Sequence, residues 1–326
     1  MSFLAALAAF ADRKLLYPAV YPSRVARGGS VKPAKSQDSR ASRPSRVFAP
    51  MPMLPGDLFS SPALPAFEHR AHVLRFESPA WPVIEAVSDA ILQHKRNRVV
   101  TVALSGPIAG RSIVVGLHGY LGGHPRTDRV SLGASRFMRA NHVFAHYTLP
   151  FHGARAEKKG RPFFPHADPR ITFEALRQGA LEAVALVQLL RTLGAARVTL
   201  AGLSLGAYIA ALAATIVPRR DGHPAGRLDG LDGLVLLTPL ASFRSLDAPP
   251  AGDARDLVTL TRAATRSPQI AGEHVLVIGA REDLITPLPH ARSLADHFRG
   301  ELATIAGGHL LPFGRDEALD RWLAAR

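Results

Sequence analysis

Residues 200–208 read LAGLSLGAY, with one serine, Ser204, held between Gly202 and Gly206. The apolar run ARVTL ends at the start of this stretch, and the helical pattern AYIAALAATIV continues from its end. A serine on a sharp turn from strand to helix sits in a strained backbone with its hydroxyl turned outward. The flanking glycines let strand, turn and helix approach closely. The amide of Leu205 then opens the helix, where a developing anion is favoured. Gly-x-Ser-x-Gly alone is a modest signal. Its place between a strand and a helix makes Ser204 a candidate nucleophile.

The same alternation extends in both directions. Residues 98–104, 112–119, 142–150, 196–202, 231–239, 273–280 and 301–307 read as strands. Residues 128–140, 171–194, 205–217, 289–298 and 315–325 read as helices, the longest with an apolar stripe through Leu176, Ala180, Ala183, Leu186 and Leu190 and an end at Gly194. Strands alternating with helices predict an α/β fold: a mostly parallel sheet with helices on both faces. Residues 240–270 read as a short, partly helical insertion between two strands, expected to form a small cap over the pocket. Its Leu246, Leu257, Val258 and Leu260 serve either an acyl chain or the core.

A serine hydroxyl needs a base, and the base needs an orienting acid. In a parallel sheet these groups gather at the carboxyl ends of the strands. Asp283, in VIGAREDLITP (277–287), follows one strand; Glu282 beside it is the other acid available there. His309, in IAGGHLLPF (305–313), follows the last strand. Histidine exchanges a proton near neutral pH without a large pKa shift. The chain order Ser204, Asp283, His309 is the order of α/β-hydrolases. The Gly-rich loop VVGLHGYLGGHP (114–125) is the expected oxyanion hole, with the Tyr120 amide paired to that of Leu205 and the Tyr120 hydroxyl as the other candidate donor. His118 and Gly119 in that loop, and His152 and Arg155 in LPFHGAR (149–155), are candidate substrate-binding residues; for His152 and Arg155 a structural role in tying down residues 153–169 is as well supported. His142 and His146 lie on a strand with no carboxylate in register, so no metal site is expected.

These motifs resemble the α/β-hydrolase superfamily, on the side of the dienelactone-hydrolase and prolyl-oligopeptidase-like esterases. The resemblance rests on HGYLGG, LPFHGAR, GLSLGAY, GAREDLITP and GGH and covers about residues 98–326. It implies an eight-stranded, mostly parallel sheet and hydrolysis of an ester, thioester or amide without cofactor. It implies no particular substrate. Carboxylic esters, small or lipid-like, are the expected substrates. An acyltransferase with the same residues is the main alternative, and a non-catalytic binding protein the lesser one.

Composition sets the outer bounds. The 326 residues, 47% hydrophobic, suffice for one large core. With no cysteine, disulfides and thiolate chemistry are excluded, which fits a cytoplasmic location. The net charge of +14 is uneven: residues 1–50 hold nine Lys/Arg against two Asp/Glu. Residues 1–66 are expected to hold a short helix through Phe3, Leu4, Leu7 and Phe10, then an irregular Ser/Pro/Arg-rich arm, with the catalytic domain over 67–326. The arm has no interleaved aromatics to stack nucleic-acid bases, and weak contact with anionic surfaces is its expected partner chemistry. Deleting 1–66 is expected to leave turnover of a small soluble ester intact.

Overall fold

The computed structural model describes Asp12 and residues 49–157, 163–218, 230–244, 246–247 and 249–326. The expected N-terminal helix and basic arm, and the KKGR stretch at 158–161, lie outside the described residues. The strands are β1 (Phe67–Arg70), β2 (Val73–Glu77), β3 (Val99–Leu104), β4 (Ser112–Leu117), β5 (Val143–Tyr147), β6 (Arg197–Leu203), β7 (Gly233–Leu237), β8 (Val275–Ala280), β9 (Glu301–Gly307) and β10 (Pro312–Phe313). The helices are α1 (Glu85–Leu92), α2 (Pro125–Ser131), α3 (Ala134–Arg139), α4 (Pro169–Thr192), α5 (Leu205–Ala213), α6 (Leu257–Leu260), α7 (Leu288–Phe298) and α8 (Arg315–Ala324).

The strands form one sheet in the order β1-β2-β3-β5-β4-β6-β7-β8-β9-β10. The six from β5 to β9 run parallel, and β1, β2, β3 and β10 add antiparallel pairings at the two ends. The sheet therefore has ten strands where eight are expected. The two extra members, β1 and β10, are outer strands of two-strand hairpins, four and two residues long. Every residue of β1 is exposed, so it adds an edge and no core.

Alternation along the central strands builds two apolar layers. Leu234 and Leu236 of β7 and Val275 and Val277 of β8 join the layer under α4, α5 and α7. Val235, Leu237, Leu276 and Ile278 face the other way, onto Phe137 of α3 and Leu319 and Trp322 of α8. Helix α4 starts where Asp168 caps it, accepting the Arg170 N–H at 2.9 Å. It is followed by Gly194 at φ 85°, a left-handed position that suits glycine. Residues 128–140, read as one helix, are α2 and α3 broken at Gly133. Its φ of 65° stops the first helix, and a side chain there would press on Leu319.

The Pro-rich run at 49–66 forms no helix or strand, yet it is docked. Phe59 is buried edge-on against Phe173, and Arg177 Nε donates to the Leu58 carbonyl at 2.7 Å. The insertion at 240–270 packs on the same side. Leu257 and Val258 are buried in the core, and the Tyr208 hydroxyl meets Thr261 Oγ1 at 2.7 Å. Leu257 and Val258 serve the core, Leu246 packs against it half-buried, and Leu260 is exposed.

The register aligns the carboxyl ends that matter. Leu117 pairs with Gly202, Leu203 with Leu237, and Ala280 with Ile305. The loops after β4, β6, β7, β8 and β9 thus open on one edge.

Candidate active site

Ser204 joins β6 to α5 with φ 55° and ψ −111°, outside the regions open to most side chains. The strain is held from both sides. Its N–H donates to Leu237 O at 2.9 Å, and its carbonyl accepts from Tyr208 N at 3.1 Å. Gly206 is needed for closeness: a Cβ there would fall on the carbonyl oxygens of Leu117 and His118. A strained serine at the carboxyl end of a central parallel strand, running straight into a helix, has the backbone geometry of a nucleophile elbow. The sheet order around it settles the architecture. The chain has the α/β-hydrolase fold.

No family model matches the sequence, and no curated protein matches it. Solved structures with a similar course include TT1662 from Thermus thermophilus, at 22% identity and a TM-score of 0.47, covering 70% of this chain and 94% of that one. They also include Est1E from Butyrivibrio proteoclasticus with bound ferulic acid (15%, TM-score 0.48, 70% and 95%). A third is the esterase Est2 from Thermogutta terrifontis with bound butyrate (16%, TM-score 0.48, 69% and 86%). What the site does is read from its own geometry.

The β8–α7 and β9–β10 loops of this α/β-hydrolase fold bring the predicted acid and base together. His309 Nδ1 lies 2.7 Å from Asp283 Oδ2. That contact places the proton on Nδ1 and leaves the Nε2 lone pair free to accept one. Asp283 is buried, and its other oxygen accepts the N–H groups of Ile285 at 2.8 Å and Thr286 at 2.7 Å. Thr286 Oγ1 stands 2.8 Å from Asp283 Oδ2 and 3.0 Å from the Thr238 carbonyl. Glu282 is engaged elsewhere, accepting Gly307 N–H at 2.6 Å. The geometry thus separates the two neighbouring acids: Asp283 meets the imidazole, and Glu282 ties down the end of β9.

Ser204 and His309 both line a cavity of about 340 Å³. Gly119 and Tyr120 form one wall of it, and Leu121, Ile285, Leu310 and Pro312 supply apolar surface. Among the described residues, no hydrogen bond closes between Ser204 and His309. In ligand-free sites such bonds often tighten only when substrate is bound. None of the described residues of 240–270 lines this cavity.

Of the four candidate substrate-binding residues, only Gly119 reaches the cavity. His118, His152 and Arg155 are fully buried. His118 Nδ1 donates to Gly119 O at 2.8 Å, and its Nε2 accepts Leu149 N–H at 3.1 Å. His152 Nδ1 donates to Pro150 O at 2.7 Å, and the Tyr120 ring meets the His152 ring edge-on. Arg155 forks onto both oxygens of Glu182, at 2.7 and 2.8 Å, and caps the Thr148 carbonyl. His118 ties the loop of Gly119 and Tyr120 to Leu149, and Arg155 ties the segment after β5 to α4.

Asp128 was not read as a site residue. It lines the cavity, accepts Gly123 N–H at 2.8 Å and takes a hydrogen bond from His146 Nε2 at 2.7 Å. Burial works against the Asp128 carboxylate, but the bond from His146 and the nearby His118 outweigh it and hold its pKa below the ordinary value. Among the described residues, no group of three or more His, Cys, Asp or Glu is arranged to hold a metal ion. Nor is any helix among them long and apolar enough to cross a membrane.

Burial pushes His118 down to about 4 and His152 down to about 3, so both are neutral near pH 7. Unfolded, each regains a pKa of about 6.5. Below that value the unfolded chain binds more protons than the folded one, so stability falls as the pH falls. Each histidine contributes a slope approaching about 1.4 kcal/mol per pH unit between about 6.5 and 4. Denaturant unfolding between about pH 7 and about pH 5 is expected to show this loss, and a flat profile would contradict the burial of the neutral pair.

Proposed function

We propose that the chain is a serine hydrolase that cleaves small carboxylic esters through an acyl-enzyme. One observation carries the reading: an imidazole oriented by a buried carboxylate, with Nδ1 2.7 Å from Asp283 Oδ2, faces the cavity that holds a strained serine. Nucleophile, base and orienting acid are the minimal set for acyl transfer.

In this mechanism His309 Nε2 takes the Ser204 proton as Oγ bonds to the ester carbonyl carbon. The carbonyl electrons become an oxyanion, received by the amides of Leu205 and Tyr120. Collapse breaks the bond to the leaving oxygen, which takes the proton from Nε2. Water then repeats the sequence on the acyl-enzyme and frees the acid. Asp283 fixes the imidazole tautomer and balances its charge while it is protonated. The Tyr120 hydroxyl is the alternative donor, since Tyr120 also lines the cavity. The 340 Å³ volume lies near the lower end of the roughly 300–1,000 Å³ of ligand sites, which favours short acyl groups.

The test is turnover of p-nitrophenyl acetate and p-nitrophenyl octanoate. Steady hydrolysis with the acetate preferred is expected. No turnover of either, with thioesters or amides cleaved instead, would overturn the ester assignment. Adding an acceptor alcohol separates hydrolysis from acyl transfer, since a transferase would form a new ester in place of free acid.

A further inference from the structure

Asp12 lies far from the site in sequence, 297 positions before His309, yet its side chain bonds to the His309 backbone. It is fully buried. Oδ2 accepts the backbone N–H of His309 at 2.7 Å and that of Leu284 at 3.3 Å. Oδ1 accepts Leu310 N–H at 3.0 Å. One carboxylate therefore spans the loop that carries Asp283 and the loop that carries His309. Gly308 leaves room for it: a Cβ there would sit 2.5 Å from Asp12 Oδ2.

We propose that Asp12 is a positioning residue, stapling the two loops so that the His309 imidazole keeps its bond to Asp283 and its place at the cavity. The inference rests on the serine-hydrolase reading above. It makes Asp12 part of the working enzyme, against the expectation that deleting residues 1–66 leaves turnover intact. The chemistry is specific to a carboxylate. Three N–H donors converge on two oxygens that carry no protons, and each bond to an anion is stronger than a neutral one. Asparagine keeps the shape but offers one oxygen, so at least one N–H would face an NH₂ group. Burial raises the Asp12 pKa, against the lowering by the His309 and Leu310 N–H groups. The neighbouring Asp283 charge raises it too.

The experiment compares Asp12→Asn and Asp12→Ala with wild type in the full chain. Three readouts are taken: kcat and KM on p-nitrophenyl acetate, thermal unfolding, and the downfield proton resonance of His309 Nδ1–H. Displacing a catalytic group by about 1 Å costs up to about 100-fold, so kcat is expected to fall between about 10- and 100-fold. KM should stay within about twofold, and the downfield resonance should broaden or vanish while unfolding remains cooperative. Wild-type kcat together with a wild-type resonance in both variants would overturn the proposal. So would failure of both variants to fold, which would make Asp12 a residue of general stability. The resonance needs no turnover. If wild type hydrolyses nothing, the functional reading fails while the staple is still tested by whether the resonance depends on Asp12.

Discussion

Ser204→Ala is expected to reduce kcat on a short p-nitrophenyl ester by up to about a million-fold, to the rate set by cavity binding and amide donors alone. The reason is local. Without Oγ no acyl-enzyme forms, and water has no comparably placed position from which to attack. The fold should tolerate the change, since the strained backbone at φ 55° is held by Leu237 O and the Tyr208 N–H, neither of which involves the side chain. Alanine suffers the same backbone strain as serine, so the melting temperature should move little. Steady-state kinetics beside a thermal melt check both parts. An Ala variant with more than a few per cent of wild-type kcat would remove Ser204 from the chemistry.

Asp283→Asn is expected to cost about ten-thousand-fold in kcat with little change in KM. The amide NH₂ would face His309 Nδ1 and favour the tautomer with its proton on Nε2, where the lone pair is needed. It would also face or abandon donors that now converge on the carboxylate, the N–H groups of Ile285 and Thr286 and the Thr286 hydroxyl. Glu282→Gln is the matched control. Its carboxylate holds Gly307 N–H, so it should lose some stability and keep most of its kcat. If the two variants lost activity equally, the distinction between neighbouring acids drawn from this geometry would fail.

How far the sequence leads depends on how local the signal is. The order Ser204, Asp283, His309 was readable because each residue follows its own strand, and a parallel sheet sends all such loops to one edge. Asp283 and Glu282 are adjacent in sequence, and what separates them is a contact across 26 residues, from Asp283 Oδ2 to His309 Nδ1. Polar residues near strand ends are harder to place, because a pocket and an internal partner suit them equally. His118, His152 and Arg155 look like pocket residues because they are polar and near strand ends. Their partners, Leu149 N–H, Pro150 O and Glu182, turn them inward. The acyl-contact role left open for Leu257 and Val258 gave way to core packing on the far side of the sheet from α8.

Some elements were missed for other reasons. Strand β2 carries a readable alternation, Leu74 and Phe76 buried between exposed Arg75 and Glu77, but five residues beside a Pro-rich run are easily passed over. Strand β10 has two residues and exists only because β9 is beside it. Asp128 and Thr286 are ordinary turn and helix residues in sequence; a buried histidine and a buried carboxylate give them their roles. Asp12 carries no local signal at all. The one clue is the second glycine of Gly-Gly-His, since Gly308 has no side chain where the Asp12 carboxylate passes.

An activated Ser204 should react with electrophiles that ordinary serines ignore. The most direct measurement is intact-protein and peptide mass spectrometry after treatment with a fluorophosphonate, in which serine Oγ bonds to phosphorus and fluoride leaves. One adduct per chain is expected, on the peptide containing Ser204 and absent from Ser204→Ala. A folded wild-type chain that takes no adduct, or takes it on another residue, would contradict it.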